Sequence, residues 1–248
     1  LKSKDKCTVM VASPGEEMNV HNQNPPTSLT VFLHRAKFEV KAESFIKTDL
    51  HAFLAKLQPT KKVLVCGSTR KGEEVTLLAA IQRLKKKFKE LFVILVPRHP
   101  QRAVEVGQLC AQRGLTYQYR SQRKQEINDQ DVLIIDTIGE LATCYSFCQL
   151  AFVGGSLIPH GGQNILEPSR VGVPVLTGPY TDNFEAEVEL LASVGALLVV
   201  RDENDIVEQV SYLFENEVKR AQLGESGRQV IVGQVGSLER TEKLIEGR

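Results

Sequence analysis

The sequence has no surplus of charge of either sign, with 31 Lys and Arg against 30 Asp and Glu. Without a net basic field nothing holds a polyanion through backbone contacts, so nucleic acid is excluded as the expected partner. The chain also lacks any apolar run near the ~18–20 residues that a bilayer-spanning helix needs, and it shows no signal peptide. A membrane anchor, if the parent protein has one, is expected elsewhere. The five cysteines Cys7, Cys66, Cys110, Cys144 and Cys148 are odd in number and lack the spacing of zinc ligands. Cys66 and Cys148 lie in apolar surroundings that suit reduced core thiols, which fits a cytoplasmic compartment. No internal repeat is visible.

What is there is the composition of a folded chain, 42% hydrophobic and 25% charged. A length of 248 residues accommodates one full domain and part of a second. Residues 1–59 read as the partial one, a remnant or linker: Pro14–Gly15 and Asn22–Gln23–Asn24–Pro25–Pro26 are loop signals that break the apolar pattern. Within it the pattern predicts a strand over Leu29–Leu33 leading into Lys37–Phe38–Glu39–Val40, then a helix over Ser44–Leu57. The basic run Lys85–Lys86–Lys87–Phe88–Lys89 falls on a predicted helix and reads as a solvated face.

Residues 60–248 form the complete domain. Apolar runs at Val63–Cys66, Leu91–Val96, Thr116–Tyr119, Val132–Ile135, Leu150–Val153, Pro174–Thr177 and Leu197–Val200 alternate with stretches of helical periodicity. These helices are predicted over Glu73–Phe88, Arg102–Arg113, Gly139–Cys148, Asn164–Arg170, Phe184–Val194 and Asp205–Glu215. Short buried strands separated by helices predict an α/β fold, a Rossmann-like parallel sheet with helices on both faces.

In such sheets ligands bind beyond the carboxyl ends of the strands. The segments found there are Gly67–Ser68–Thr69, Pro97–Arg98–His99–Pro100, Asp136–Thr137–Ile138–Gly139–Glu140–Leu141 and Gly154–Gly155–Ser156. Gly155 and Ser156, with Gly161–Gly162–Gln163–Asn164 after them, offer bare backbone where an anion can approach, or are two glycine turns and nothing more. Glu167 stands early in a short helix, where a carboxylate can grip two ribose hydroxyls or serve as a capping partner. Arg98 is either a planar fork for phosphate or a surface arginine.

Taken together and in order, these segments resemble a known family. From Val63 to about Gly178 the chain is similar to the carboxyl-terminal domain of 3-deoxy-D-manno-octulosonic acid (Kdo) transferases, which have the two-domain GT-B fold. The resemblance rests on Gly67–Ser68–Thr69 with Gly72–Glu73–Glu74, on Val96–Pro97–Arg98–His99–Pro100, on Asp136–Leu141, and on Phe152–Leu157 running through Gly161–Pro168. It implies inverting, metal-independent transfer of Kdo from CMP-Kdo to a lipid A precursor (lipid IVA) in lipopolysaccharide biosynthesis, with no cofactor. It further implies a CMP site made of Ser68, Pro97, Arg98, Ile138, Gly139, Glu140, Gly155, Ser156, Asn164, Ile165, Leu166 and Glu167. Lys37 matches the Lys–Phe–Asp element of the family and would stabilise the transition state.

The same resemblance makes residues 1–59 what remains of the amino-terminal acceptor domain and the interdomain linker, and 60–248 the donor-binding domain. It implies lipid A precursor and the inner membrane surface as partners of the full-length parent, at the cytoplasmic face, and a chain inactive by itself because one wall of the cleft is missing. Three departures stand out: Arg70–Lys71 replaces His–Glu, Gln163 replaces His, and His34–Arg35–Ala36 lacks the glycine of the family. No general base is assigned, since Glu16 lies too close to Lys37. A nucleotide-sugar epimerase of the same fold, or a non-catalytic CMP-binding module, would share the glycine turns and the acid.

Overall fold

The computed structural model describes residues 49–57, 61–122 and 130–234. Its strands form one seven-stranded sheet in which every paired neighbour is parallel. Strand β1 (Lys62–Thr69) lies at the centre with β2 (Leu91–Pro97) beside it, then β4 (Val132–Ile134), with β3 (Tyr117–Tyr119) at that edge. The chain then returns to the other side of β1 as β5 (Leu150–Val153), followed outward by β6 (Val175–Thr177) and β7 (Leu197–Val199). The direction of strand addition thus reverses between β1 and β5, where an open α/β sheet forms its crevice.

Side-chain alternation along each strand builds two core layers. Leu64, Cys66, Val93, Leu95, Val132, Ile134, Leu150 and Phe152 face helices α2 (Glu73–Lys87), α3 (Ala103–Gln112) and α7 (Glu203–Glu215). Val63, Val65, Phe92, Ile94, Leu133 and Ala151 face α1 (Asp49–Leu57) and α4 (Leu141–Tyr145). Val153 and Val175 continue that second layer under α5 (Leu166–Arg170), α6 (Glu185–Ser193) and α8 (Glu217–Gln234). The predicted parallel sheet covered on both faces is therefore present. Among the described residues no helix is long and apolar enough to cross a membrane.

Two features differ from the sequence reading. Helix α1 lies before the predicted boundary at residue 60, yet Leu50 and Leu54 are at most 1% exposed and pack on Val63, Val65 and Phe92. Burying each contributes roughly 2 kcal/mol, so α1 is part of the sheet's own core and the packed unit starts no later than Asp49. Helix α8 has no counterpart in the sequence reading because Gly224, Gly227 and Gly233 interrupt its apolar pattern. A Cβ at Gly224 would stand 1.9 Å from the Gly172 carbonyl oxygen, and one at Gly227 would stand 2.9 Å from the Ala196 Cβ. The missing side chains let α8 lie directly on the loops before β6 and β7.

At the amino edge of the sheet, Lys85 Nζ lies 2.8 Å from Asp131 Oδ1. Thr116 adds its amide at 2.9 Å and its hydroxyl at 3.0 Å to Asp131 Oδ2. Burial pushes the Asp131 carboxyl up, but Lys85 and Thr116 outweigh it and hold it below its ordinary value. A carboxyl lowered by folding stabilises the protein above its unfolded pKa of about 3.9, and that contribution disappears as pH falls through the folded value. Asp131→Asn is expected to cost about 1 kcal/mol at neutral pH and to flatten the acid limb of stability below about pH 4. Urea unfolding across pH checks this, and an acid limb as steep as that of the parent would refute it.

Candidate functional site

The crevice between β1 and β5 is filled from within. Glu73, the first residue of α2, is fully buried. Its Oε2 accepts the amides of Gly155 at 2.7 Å and Arg70 at 2.8 Å. Its Oε1 accepts those of Ser156 and Leu157, both at 3.0 Å. The bare backbone expected to meet a phosphate therefore meets a carboxylate of the same chain. The Ser156 hydroxyl is also engaged, donating to the Val153 carbonyl at 2.7 Å and accepting the Gly178 amide at 2.8 Å. Gly155 has φ +70°, a conformation that favours glycine and turns its amide toward Glu73. Gly155 and Ser156 thus hold the loop together, and their amides are not open to an anion.

Beyond Gly67 the chain turns at Ser68, which has φ +54° and is partly exposed at the carboxyl edge. The Thr69 carbonyl accepts the Arg98 amide at 2.9 Å, which ties the loops after β1 and β2 together. Pro97 is buried at the end of β2, and Arg98 and His99 are exposed. Among the described residues the Arg98 guanidinium has no hydrogen-bond partner, so it remains available to an anion. Its neighbour Arg102 is committed instead, giving two bonds to the fully buried Glu74 at 2.6 and 3.3 Å and one to Glu105 at 3.2 Å.

The loop after β4 is held by acids rather than offering them. Asp136 accepts the Ser121 amide at 2.8 Å and its hydroxyl at 2.5 Å. Glu140 accepts Arg120 Nη2 at 2.9 Å and Arg120 Nε at 3.1 Å, and it also accepts the Thr137 hydroxyl. Between these anchors Gly139 has φ +84° with open space around it, and Ile138 is 89% exposed. Ile138 joins Pro100, Ala103, Tyr119 and Asp136 around a cavity of about 390 Å³ between the loops after β2 and β4. Burial and then a hydrogen bond with Tyr117 push the Tyr119 hydroxyl up to about 12, so it stays protonated at that wall. Of the predicted residues only Ile138 lines this cavity; Arg98 and Glu167 lie outside it.

At the start of α5 the Asn164 side chain accepts the Leu166 amide and donates to Glu167 Oε1, each at 3.0 Å. Ile165 and Leu166 are at most 2% exposed in the core, so only their backbone can meet a ligand. Behind them lies Tyr145 of α4, whose phenol occupies the space a side chain at Gly67 would need. Burial, then the Glu167 carboxylate, push this phenol well above its ordinary range. Lys37 lies outside the described residues.

Sequence reasoning assigned no role to Glu73, Arg120 or Tyr145. Glu73 left a trace, because a carboxylate in the first turn of a helix after a glycine is an anion placed at the positive end of the helix. Arg120 and Tyr145 left none, since their partners lie far away along the chain.

A parallel sheet whose carboxyl-edge loops present the exposed Arg98, an exposed glycine turn and an acid at a short helix is a Rossmann-like domain of the kind that makes one half of a GT-B fold. Residues 46–230 match the family described as glycosyl transferases group 1, and the chain belongs to that family. Its relatives include the 3-deoxy-D-manno-octulosonic acid transferase of Haemophilus influenzae, 30% identical over 85% of this chain and 49% of that protein. The enzyme of the same name from Bordetella pertussis is 32% identical over 75% of this chain and 44% of its own length. Among solved structures, the C-terminal CMP-Kdo binding domain of WaaA from Acinetobacter baumannii superimposes with a TM-score of 0.68 at 31% identity, covering 73% of this chain and 98% of that domain. The chain spans about half the length of the curated relatives it matches.

Proposed function

We propose that this chain carries the donor-binding half of a Kdo transferase, which moves Kdo from CMP-Kdo to a lipid A precursor at the cytoplasmic face of the inner membrane during lipopolysaccharide assembly. The observation that carries the reading is the likeness, over 73% of this chain and 98% of the other domain, to a domain described as binding CMP-Kdo, joined to an Arg98 unpartnered among the described residues at the same edge. In the proposed arrangement Arg98 faces the phosphate and neutralises the charge that grows as CMP leaves. Glu167, oriented by Asn164, holds ribose hydroxyls. The exposed Ile138–Gly139 turn meets the base beside the cavity of about 390 Å³. Lys37 would stabilise the transition state, with inversion at the anomeric carbon and no metal. The acceptor wall and the general base are assigned to no described residue, so this chain alone is proposed to bind the donor without turnover.

Calorimetry with CMP, UMP and UDP tests this reading. CMP is expected to bind best, and preference for a uridine nucleotide would favour an epimerase-type site and end the proposal. Arg98→Ala and Glu167→Ala are each expected to weaken CMP by about 1–3 kcal/mol, the range for losing a charged hydrogen bond. Arg98→Ala should leave thermal stability unchanged, because the side chain is exposed and unpartnered among the described residues. Unaltered affinity in both variants would remove the two residues from the site.

A further inference from the structure

Arg120 lies in the short turn after β3, 13% exposed, and its guanidinium joins two carboxylates from different parts of the chain. Nε lies 3.1 Å from both oxygens of Glu140, and Nη2 lies 2.9 Å from Oε1 of the same carboxylate. Nη2 also reaches Asp49 Oδ1 at 2.6 Å. Asp49 is the first residue of α1, the helix through which the chain enters the sheet's core, and Glu140 directly precedes α4. The next residue, Ser121, holds Asp136 with its amide and hydroxyl. One turn thus fixes both acids that flank Thr137–Ile138–Gly139, while Ile138 and Gly139 themselves remain exposed.

We infer that Arg120 is a positioning residue of the candidate site: it locks Glu140 so that the Ile138–Gly139 turn is preset for the donor, and through Asp49 it couples that turn to the seat of α1. The inference rests on the CMP-binding reading above for its ligand. Its physical content is independent of that reading. A guanidinium shared by two carboxylates at fixed fork geometry removes freedom that the loop would otherwise lose on binding. The Glu140 carboxylate, already accepting Arg120 and Thr137, serves the loop rather than the ligand, which leaves recognition to the exposed backbone between the anchors.

Amide hydrogen exchange of the ligand-free protein and CMP affinity test the inference together. Arg120→Ala is expected to speed exchange at residues 137–141 roughly tenfold while leaving β1 and β2 unchanged, and to raise the CMP dissociation constant by a similar factor. Asp49→Asn should give the same pattern with a smaller amplitude. In the double variant with Glu140→Ala, loss of Arg120 should add no more than about twofold, because both act through one contact. If Arg120→Ala fails to fold, Arg120→Lys carries the test, since lysine keeps the charge but not the fork. Unchanged exchange at 137–141, or independent losses in the double variant, would overturn the inference. Absence of CMP binding by the unsubstituted protein would overturn the proposed function instead, with the exchange measurement still deciding the role of Arg120.

Discussion

Glu73→Ala is expected to lower stability by about 3–5 kcal/mol, the largest effect of any single substitution proposed for this protein. The carboxylate is fully buried and accepts the amides of Arg70, Gly155, Ser156 and Leu157 at 2.7–3.0 Å. Removing it leaves these four amides without their acceptor, and the bonds from Gly155 and Ser156 are buried. The loop is packed closely around the carboxylate: a Cβ at Gly154 would stand 2.8 Å from Glu73 Oε2 and 2.7 Å from the Ser68 carbonyl. Glu73→Gln is the sharper comparison, because it keeps the volume but turns one acceptor into a donor that faces the same amides. It is expected to cost about 2–4 kcal/mol. Urea unfolding measures both, and a loss below about 1 kcal/mol in Glu73→Ala would mean that the loop finds other acceptors at little cost.

Gly178→Ala is expected to be the next most damaging, at about 3 kcal/mol. An added Cβ would lie 2.1 Å from the Ser156 carbonyl oxygen, 2.2 Å from its carbon and 2.5 Å from the Leu157 nitrogen. All three are backbone atoms of the segment that Glu73 fixes, so no rotamer change relieves the overlap. The strain would pull the Gly178 amide off the Ser156 hydroxyl, a bond of 2.8 Å, and part the ends of β5 and β6. Thermal and urea unfolding should both show the loss. Gly114→Ala is the control, since its Cβ would meet nothing within 4 Å and only its φ of +68° opposes the change. Gly178 is not among the positive-φ glycines, so its cost comes from overlap alone, and a loss there no larger than at Gly114 would show that small shifts of the Ser156–Leu157 backbone relieve it.

The two substitutions bear on the same physical point, which is that the crevice at the switch of strand order is a structural joint. Sequence order alone made Gly154–Gly155–Ser156 look like an anion cradle, and the geometry is indeed that of an anion cradle. The anion is Glu73. In the proposed reading a donor phosphate therefore relies on the exposed Arg98 for its countercharge rather than on these amides. That makes the predicted loss in Arg98→Ala the most direct measurement of ligand electrostatics in this site.

Much of the architecture could be read from the apolar runs, because a strand buried on both faces has few residue choices and its length shows directly. Val63–Cys66, Leu91–Val96 and Leu150–Val153 each fall within or match an observed strand. Helix α1 could be read as a helix but not as part of this core. The spacing of Leu50, Phe53 and Leu54 gives the apolar face, whereas the surface it covers comes from strands further along the chain. Helix α8 was obscured by glycines whose purpose is contact with Gly172 and Ala196, which no local pattern records.

Local periodicity, turn chemistry and the order of the loops determined that this protein is a parallel α/β domain and that its polar segments gather at one edge of the sheet. Those properties are encoded by neighbours within a few residues, so the sequence suffices. Only the tertiary structure decided which of those polar groups are already used: Glu73 across 82 residues on Gly155, Arg120 across 20 on Glu140 and 71 on Asp49, with the Arg98 guanidinium left open among the described residues. A donor or acceptor is available to a ligand only if no other part of the chain reaches it first, and that is settled by contacts between residues far apart in the sequence.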